Sequence, residues 1–282
     1  MSLNTPLNNP SRILVIKLGA LGDFVQALGP MQAIRAHHPE ADITLLTTKP
    51  YADIARKSGL FNSILLDTRP KWHDPRGWII LRQTFNAGRF DRVYDLQNSD
   101  RTGFYFKLFS PCPEWVGIAK GASHRNTSPD RSKGLAFYGH VQTLSLAGIT
   151  NVKIDSLEWM TADISVFNLP ERYALIVPGS APNRPEKRWP TEYYAALCDD
   201  LSARGVTPVL IGSTAEMASL DSIAHNRPVI NLAGKTEITD ISALARGAII
   251  AIGNDTGPMH LIAPTNCPTL VLFSGKTNPQ KH

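Results

Sequence analysis

Four stretches carry side chains that could do chemistry on a phosphorylated ligand. The first is Pro178-Gly179-Ser180-Ala181-Pro182-Asn183-Arg184-Pro185-Glu186-Lys187-Arg188-Trp189-Pro190, between an apolar strand pattern and a helical one. Lys187 can place a point charge on a phosphate, and Ser180 can donate a hydrogen bond to it. Trp189-Pro190 would anchor the loop against the following helix. The alternative is a surface loop with solvated charges. The second is Asn254-Asp255-Thr256-Gly257-Pro258-Met259-His260, after the apolar run Ala248–Ile252. Asp255 or Thr256 reads as a helix N-cap, Gly257 permits close backbone approach, and Pro258 suits a first turn. Backbone N–H groups at such a start can seat an anion, although an ordinary capped turn has the same letters. The third is Gly212-Ser213-Thr214-Ala215-Glu216, where Glu216 either accepts from ribose hydroxyls or answers a helix dipole. The fourth is Gly19-Ala20-Leu21-Gly22-Asp23, where Asp23 stands as a general base at a strand end, as the N-cap of a helix beginning at Phe24, or as both.

The elements that must hold these groups alternate. Arg12–Leu18 is a β-branched, nearly continuous apolar run of the kind buried in parallel sheets. A helix to about His37, a strand over 42–47 and strand patterns at 63–66, 91–96 and 114–118 follow. Residues 119–138, with Lys120, His124, Arg125, Arg131 and Lys133, show no period and are expected to form a long basic loop. The span 150–170 is expected to be a linker. A second series then runs strand (173–177), helix (191–204), strand (206–211), helix (214–225), strand (228–232), helix (238–246), strand (248–252), helix (257–263) and strand (269–273). Two such series predict an α/β chain of two facing Rossmann-like domains with parallel sheets, residues 1–165 and 166–282. Every stretch singled out above falls at the C-terminal end of a strand, where ligands of such sheets bind.

Composition narrows the function. With 282 residues, 43% hydrophobic and 19% charged, the chain can build substantial cores and is not expected to be disordered. Cys112, Cys198 and Cys267 are odd in number and far apart, as expected of free thiols in a reducing cytoplasm. The polar first dozen residues predict no secretory signal, and no apolar run reaches the length of a membrane span. The formal net charge of +5 lies in residues 1–165, where 19 Lys and Arg stand against 14 Asp and Glu; residues 166–282 are balanced at 10 and 10. That half is suited to an acidic substrate or an anionic surface, whereas so small an excess without a groove-reading element argues against nucleic acid. The GxGxxG, HExxH, GxSxG, GxxxxGK[ST] and DxD patterns are missing, so nicotinamide, zinc-protease, serine-hydrolase, P-loop and metal–diphosphate readings lose support.

Lys17-Leu18-Gly19-Ala20-Leu21-Gly22-Asp23, the pair Pro178-Gly179-Ser180 and Pro185-Glu186-Lys187-Arg188-Trp189-Pro190, and Asn254–His260 resemble, in order, the motifs of glycosyltransferase family 9. These are the ADP-heptose:lipopolysaccharide heptosyltransferases and their relatives. The resemblance implies a GT-B architecture and an inverting, metal-independent transfer of a heptose from ADP-heptose to the lipopolysaccharide inner core, with no cofactor. It implies that Asp23 is the catalytic base. Ser180, Lys187, Glu216, Asp255, Thr256, Gly257 and His260 would bind the ADP-sugar donor, and no residue would bind metal. Arg101, Lys120 and Arg125 are expected to meet the acidic acceptor. Family members commonly run on past the equivalent of Phe273-Ser274-Gly275 to a closing helix, so the C-terminal part is expected to be shortened. A monomer is expected, in the cytoplasm, with a peripheral contact to the inner membrane. The competing expectations are a GT-B-like sugar-nucleotide epimerase and a non-catalytic sugar-nucleotide-binding protein.

Overall fold

A computed structural model describes residues 10–181, 183–275 and 279. Among them, the first series folds as β1 (Arg12–Ile16), α1 (Leu21–His37), β2 (Asp42–Thr47), α2 (Ala52–Lys57), β3 (Ser63–Leu66), α3 (Pro75–Gly88), β4 (Arg92–Asp95), α4 (Asp100–Tyr105), β5 (Glu114–Gly117), β6 (His124–Arg125) and α5 (Ala136–Ser145). Its six strands are all parallel, in the order β3-β2-β1-β4-β5-β6. The second series is β7 (Tyr173–Val177), α6 (Thr191–Ala203), β8 (Thr207–Leu210), α7 (Met217–Ala224), β9 (Ile230–Asn231), α8 (Ile238–Gly247), β10 (Ile250–Asn254), α9 (Gly257–Ile262) and β11 (Thr269–Leu272). It forms a parallel five-stranded sheet ordered β11-β10-β7-β8-β9.

The central strands explain this layering. Ile13–Ile16 and Tyr173–Val177 are buried along their length, which requires helices on both faces of each sheet. Phe85 of α3, Tyr105 of α4 and Trp115 of β5 close on Leu14 and Ile16 in the first core. Tyr194 and Cys198 of α6 with Leu220 and Ile223 of α7 close on Ile176 and Leu210 in the second. The first compact unit holds the chain up to Gly19 and Gln26–Ile154. The second holds Ala20–Val25 and the chain from Asp155 onward.

Two expectations change. Residues 119–138 are not a featureless loop: His124–Arg125 adds β6 to the sheet edge, and Pro129–Ser132 forms a 3₁₀ turn. Asn126 Nδ2 donates to Thr143 Oγ1 of α5 at 3.0 Å, tying the segment down. A two-residue strand has no period to read. Part of the expected linker is packed rather than free. Asp155 accepts from Leu157 N at 2.8 Å and Trp159 Nε1 at 2.9 Å, and Arg246 of α8 donates to the carbonyl oxygens of Met160 and Leu157. Leu157 and Met160 are fully buried there.

Candidate functional site

The sheet order changes direction at β7, which has β10 on one side and β8 on the other. Chains leaving a parallel sheet on opposite faces open a crevice at such a point. Three strand ends meet there: Pro178-Gly179-Ser180 after β7, Ile211-Gly212-Ser213 after β8, and Asp255-Thr256 after β10. Between them lies a pocket of about 360 Å³, with Ser180, Arg188, Glu216 and Thr256 among its polar walls and Ile211, Ile238 and Ile241 as an apolar one.

Backbone packing makes this pocket. A Cβ on Gly179 would collide with the Glu216 carboxylate, so a larger residue there must displace that side chain from the pocket wall. Asn254 is fully buried and joins three segments: its Oδ1 accepts from Trp189 N at 3.0 Å and Tyr194 Oη at 2.9 Å, and its Nδ2 donates to Pro178 O at 2.6 Å. Both ends of the 178–190 loop are thus pinned to the end of β10. Burial pushes the Tyr194 phenol well above its ordinary range, so it stays the donor in that bond. Arg188 ties the two limbs of the loop together, donating to Ser180 Oγ at 3.1 Å and Ser180 O at 3.2 Å.

The expected site residues fall into two groups. Ser180, Glu216 and Thr256 line the pocket. Glu216 also closes a capping box, its Oε2 accepting from Ser213 N and Ser213 Oγ at 2.8 Å each. The helix-start reading and the pocket position are therefore compatible. Lys187 and Asp255 are not on that wall; they form an ion pair with each other. Thr256 is the N-cap residue of α9 without a side-chain capping bond, Gly257 is its first residue, and half-buried His260 lies in its last turn. Sequence reading passed over Arg188 and Asn254, although both lie inside stretches it singled out.

Asp23 is exposed in the first turn of α1. The helix already begins at Leu21, with Phe24 N donating to Ala20 O at 2.8 Å, so Asp23 is not its N-cap. Arg101 of α4 lies over the rings of Trp72 and Trp78, 5.5 Å from each centroid. Lys120 lines a pocket of about 390 Å³ with Trp72, Phe104 and Lys107. Arg125 sits on β6 and donates to Ile118 O at 3.3 Å.

The first sheet has its own reversal, between β1 and β4, where the sequence pointed to Gly19–Asp23 after β1 but not to Asp95 or His140. Lys17 is buried with Nζ donating to Leu96 O at 3.1 Å. Asp95 is fully buried; its Oδ1 accepts from Gln97 N and Asn98 N at 3.0 Å each, while Oδ2 has no hydrogen-bond partner among the described residues. Burial raises its carboxyl to about 6, against the opposing pull of Asn98, of the Thr102 hydroxyl, of Gln97 and of the Lys17 charge. His140 of α5 is buried with neither ring nitrogen hydrogen-bonded among the described residues, and burial followed by the charge of Lys17 holds its pKa well below the ordinary value. Among the described residues, no group of three or more His, Cys, Asp and Glu could hold a metal, and no helix is long and apolar enough to cross a membrane.

Two parallel sheets with a half-polar pocket at the reversal of the second define a doubly wound α/β protein built to hold a ligand at its strand ends. The model of glycosyltransferase family 9 (heptosyltransferase) matches residues 144–282. Lipooligosaccharide heptosyltransferase 2 of Haemophilus ducreyi (strain 35000HP / ATCC 700724) is 37% identical over 310 residues, an alignment covering 95% of this chain and 84% of that protein. The chain belongs to glycosyltransferase family 9, the heptosyltransferase family. The crystal structure of the glycosyl transferase family 9 from Veillonella parvula DSM 2008 superposes with a TM-score of 0.80 at 22% identity, over 96% of this chain and 82% of that one. The E. coli heptosyltransferase WaaC with ADP-2-deoxy-2-fluoro heptose gives a TM-score of 0.71 at 18% identity, over 95% and 90%. The fold is accordingly GT-B-like, as the motifs implied.

Proposed function

We propose that the chain moves a heptose, or a related sugar, from an ADP-sugar to an acceptor of the lipopolysaccharide inner core, with inversion and without metal. One observation carries the reading: a single pocket of the second unit joins an apolar wall, a carboxylate and an arginine-locked serine loop. Ile211, Ile238 and Ile241 offer a face to a planar base, Glu216 Oε1 can accept from ribose hydroxyls, and Arg188 can donate to phosphate oxygens, as can the Ser180 hydroxyl on turning from Arg184 O, to which it donates at 3.0 Å. Thr256, Gly257 and His260 extend the donor segment past β10. The ADP-heptose analogue of the WaaC structure supports the choice of nucleotide.

Lys187 has three donors, so it can meet a diphosphate oxygen while keeping Asp255. Asp255 then has a role other than touching phosphate, since it holds and partly neutralises the lysine until an anion arrives. In the reaction, the acceptor hydroxyl loses its proton to the Asp23 carboxylate and its oxygen attacks C1. The bond from C1 to the phosphate oxygen breaks, and the ADP leaves with its charge met by Lys187, Arg188 and nearby N–H groups. The acidic acceptor binds the basic part, residues 1–165, with Arg101, Lys120 and Arg125 facing its charge. Residues 166–282 carry the donor.

Incubation with ADP-heptose, with and without an inner-core acceptor, tests this by product analysis. Acceptor-dependent appearance of a glycoside with inverted C1 is expected. An Asp23→Ala chain should bind ADP as the wild type does while losing turnover by at least about a hundredfold, the lower range for a general base. Epimerised donor without acceptor, hydrolysis alone, or binding without turnover would each overturn the transferase reading.

A further inference from the structure

The outward side of α3 carries two large apolar side chains in solvent. Ile79 and Ile80 stand out from it 57% and 61% exposed, and Trp72, just before it, is 65% exposed. The helix is not loose. Asp74 caps it by accepting from Gly77 N at 2.9 Å, Pro75 opens it, and Leu81 and Phe85 are buried on its other side. Trp72 is held as firmly, stacked on Trp78 at 5.3 Å between ring centroids and edge-on to Phe104 at 5.5 Å. Three large apolar side chains are therefore fixed in solvent by a rigid base.

The charge around them has one sign. Between residues 69 and 89 lie Arg69, Lys71, Arg76, Arg82 and Arg89 against Asp74 alone, a local +4 out of the chain's formal +5. All five basic residues are exposed, and among the described residues none of their side chains sits in an ion pair. Asp74 is occupied in capping.

We infer that the Trp72–Arg89 face docks on an anionic lipid bilayer, with Ile79, Ile80 and Trp72 entering the headgroup boundary and the arginines and lysine meeting lipid phosphates. The charge selects the occupant. A second copy of this chain would bring the same +4 face against itself, which repels. A nucleic acid would use the basic side chains but leave the two isoleucines without a role. A bilayer of anionic lipids uses both, since interfacial binding scales with buried apolar area plus attraction of basic side chains. Tryptophan suits that depth because its ring is apolar and its N–H polar. The inference stands on this face alone and is independent of the donor assignment.

The full chain is sedimented with vesicles of phosphatidylethanolamine and phosphatidylglycerol in equal parts, and with phosphatidylcholine vesicles. It should pellet with the anionic vesicles and be released by salt, because the attraction acts over a Debye length. Ile79→Ser with Ile80→Ser should lower partitioning at least about tenfold, from two lost apolar insertions. Arg76→Gln with Arg82→Gln should lower it about thirtyfold, at about fivefold per basic side chain. Both pairs should keep the wild-type thermal melting midpoint and far-ultraviolet circular dichroism, which shows that they fold whether or not the chain binds ADP. Equal pelleting with neutral vesicles, or wild-type partitioning of both pairs, would overturn the inference. So would a concentration-dependent dimer of the wild type that Ile79→Ser with Ile80→Ser abolishes, since a second copy would then cover the face.

Discussion

Lys187 and Asp255 form an ion pair in which the lysine side chain is 15% exposed and the carboxylate 3%. In a pair this deep each charge has given up its water and is compensated by the other, so removing one leaves the other buried without its counter-charge. Lys187→Ala should therefore cost stability, by about 3 kcal/mol, through the charge it strands on Asp255. Lys187→Met with Asp255→Asn should return most of that stability, read as the denaturant midpoint, while ADP affinity stays low. Recovery of ADP affinity along with stability would show that Lys187 serves the fold alone. The sequence made Lys187 visible as a basic residue in a Pro- and Gly-rich loop, but its partner lies 68 positions away, and no local pattern reports that. Arg188 was legible as a charge in the same loop. Its bond across the loop to Ser180 was not, because that depends on how the loop closes.

Asn254 shows how one side chain can set the position of whole elements. It ends β10, holds the exit of β7 through Pro178 O, and holds the entry to α6 through Trp189 N and Tyr194 Oη. Asn254→Ala would leave those buried groups without partners, at about 1–3 kcal/mol each. We expect a loss of about 3 kcal/mol or more by chemical denaturation, with a weakened ADP-induced thermal shift in what remains folded. Unchanged stability would mean that water replaces the amide. At this scale the sequence was informative wherever apolar runs were long: every strand of the two series except β6 was legible from its apolar pattern, down to the short β4 and β8. It was silent where an element is held by tertiary contacts alone. Residues 155–160 carry no period, yet they are packed, because Asp155 and Arg246 satisfy their backbone and indole groups.

Across the molecule, three buried titratable groups of the first unit make stability depend on pH in opposite senses. His38, bonded through Nε2 to Tyr94 Oη at 2.7 Å, is pushed down to about 4 by burial and then by the charges of His37, Arg92 and Arg35. His140 is lowered in the same way, by burial and then by Lys17. Below the ordinary histidine value of 6.5 the unfolded chain takes up protons that these rings refuse, so stability falls with acidification. Asp95 acts against this. Its carboxyl is raised from 3.8 to about 6, so the folded chain binds the extra proton in that window and gains stability as pH falls through it. Urea midpoints measured on both sides of that window should show a net decline on acidification. Asp95→Asn should make the decline steeper by removing the opposing contribution. An unchanged or shallower slope would show that Asp95 is ionised throughout. None of this was legible from composition, since burial of a lone His or Asp follows from the topology that places β4 and α5.

The central claim is that the pocket of the second unit, between Ser180, Arg188 and Glu216, is where the nucleotide diphosphate sits. Calorimetric titration of ADP into the full chain in buffer without divalent metal tests it most directly, comparing wild type with Arg188→Ala and Gly179→Val. The account predicts binding by the wild type. It predicts an affinity lower by about tenfold or more for Arg188→Ala, which loses charged hydrogen bonds. It predicts no measurable binding for Gly179→Val, whose side chain would occupy the place of Glu216 Oε1. Wild-type ADP affinity in both variants would contradict it.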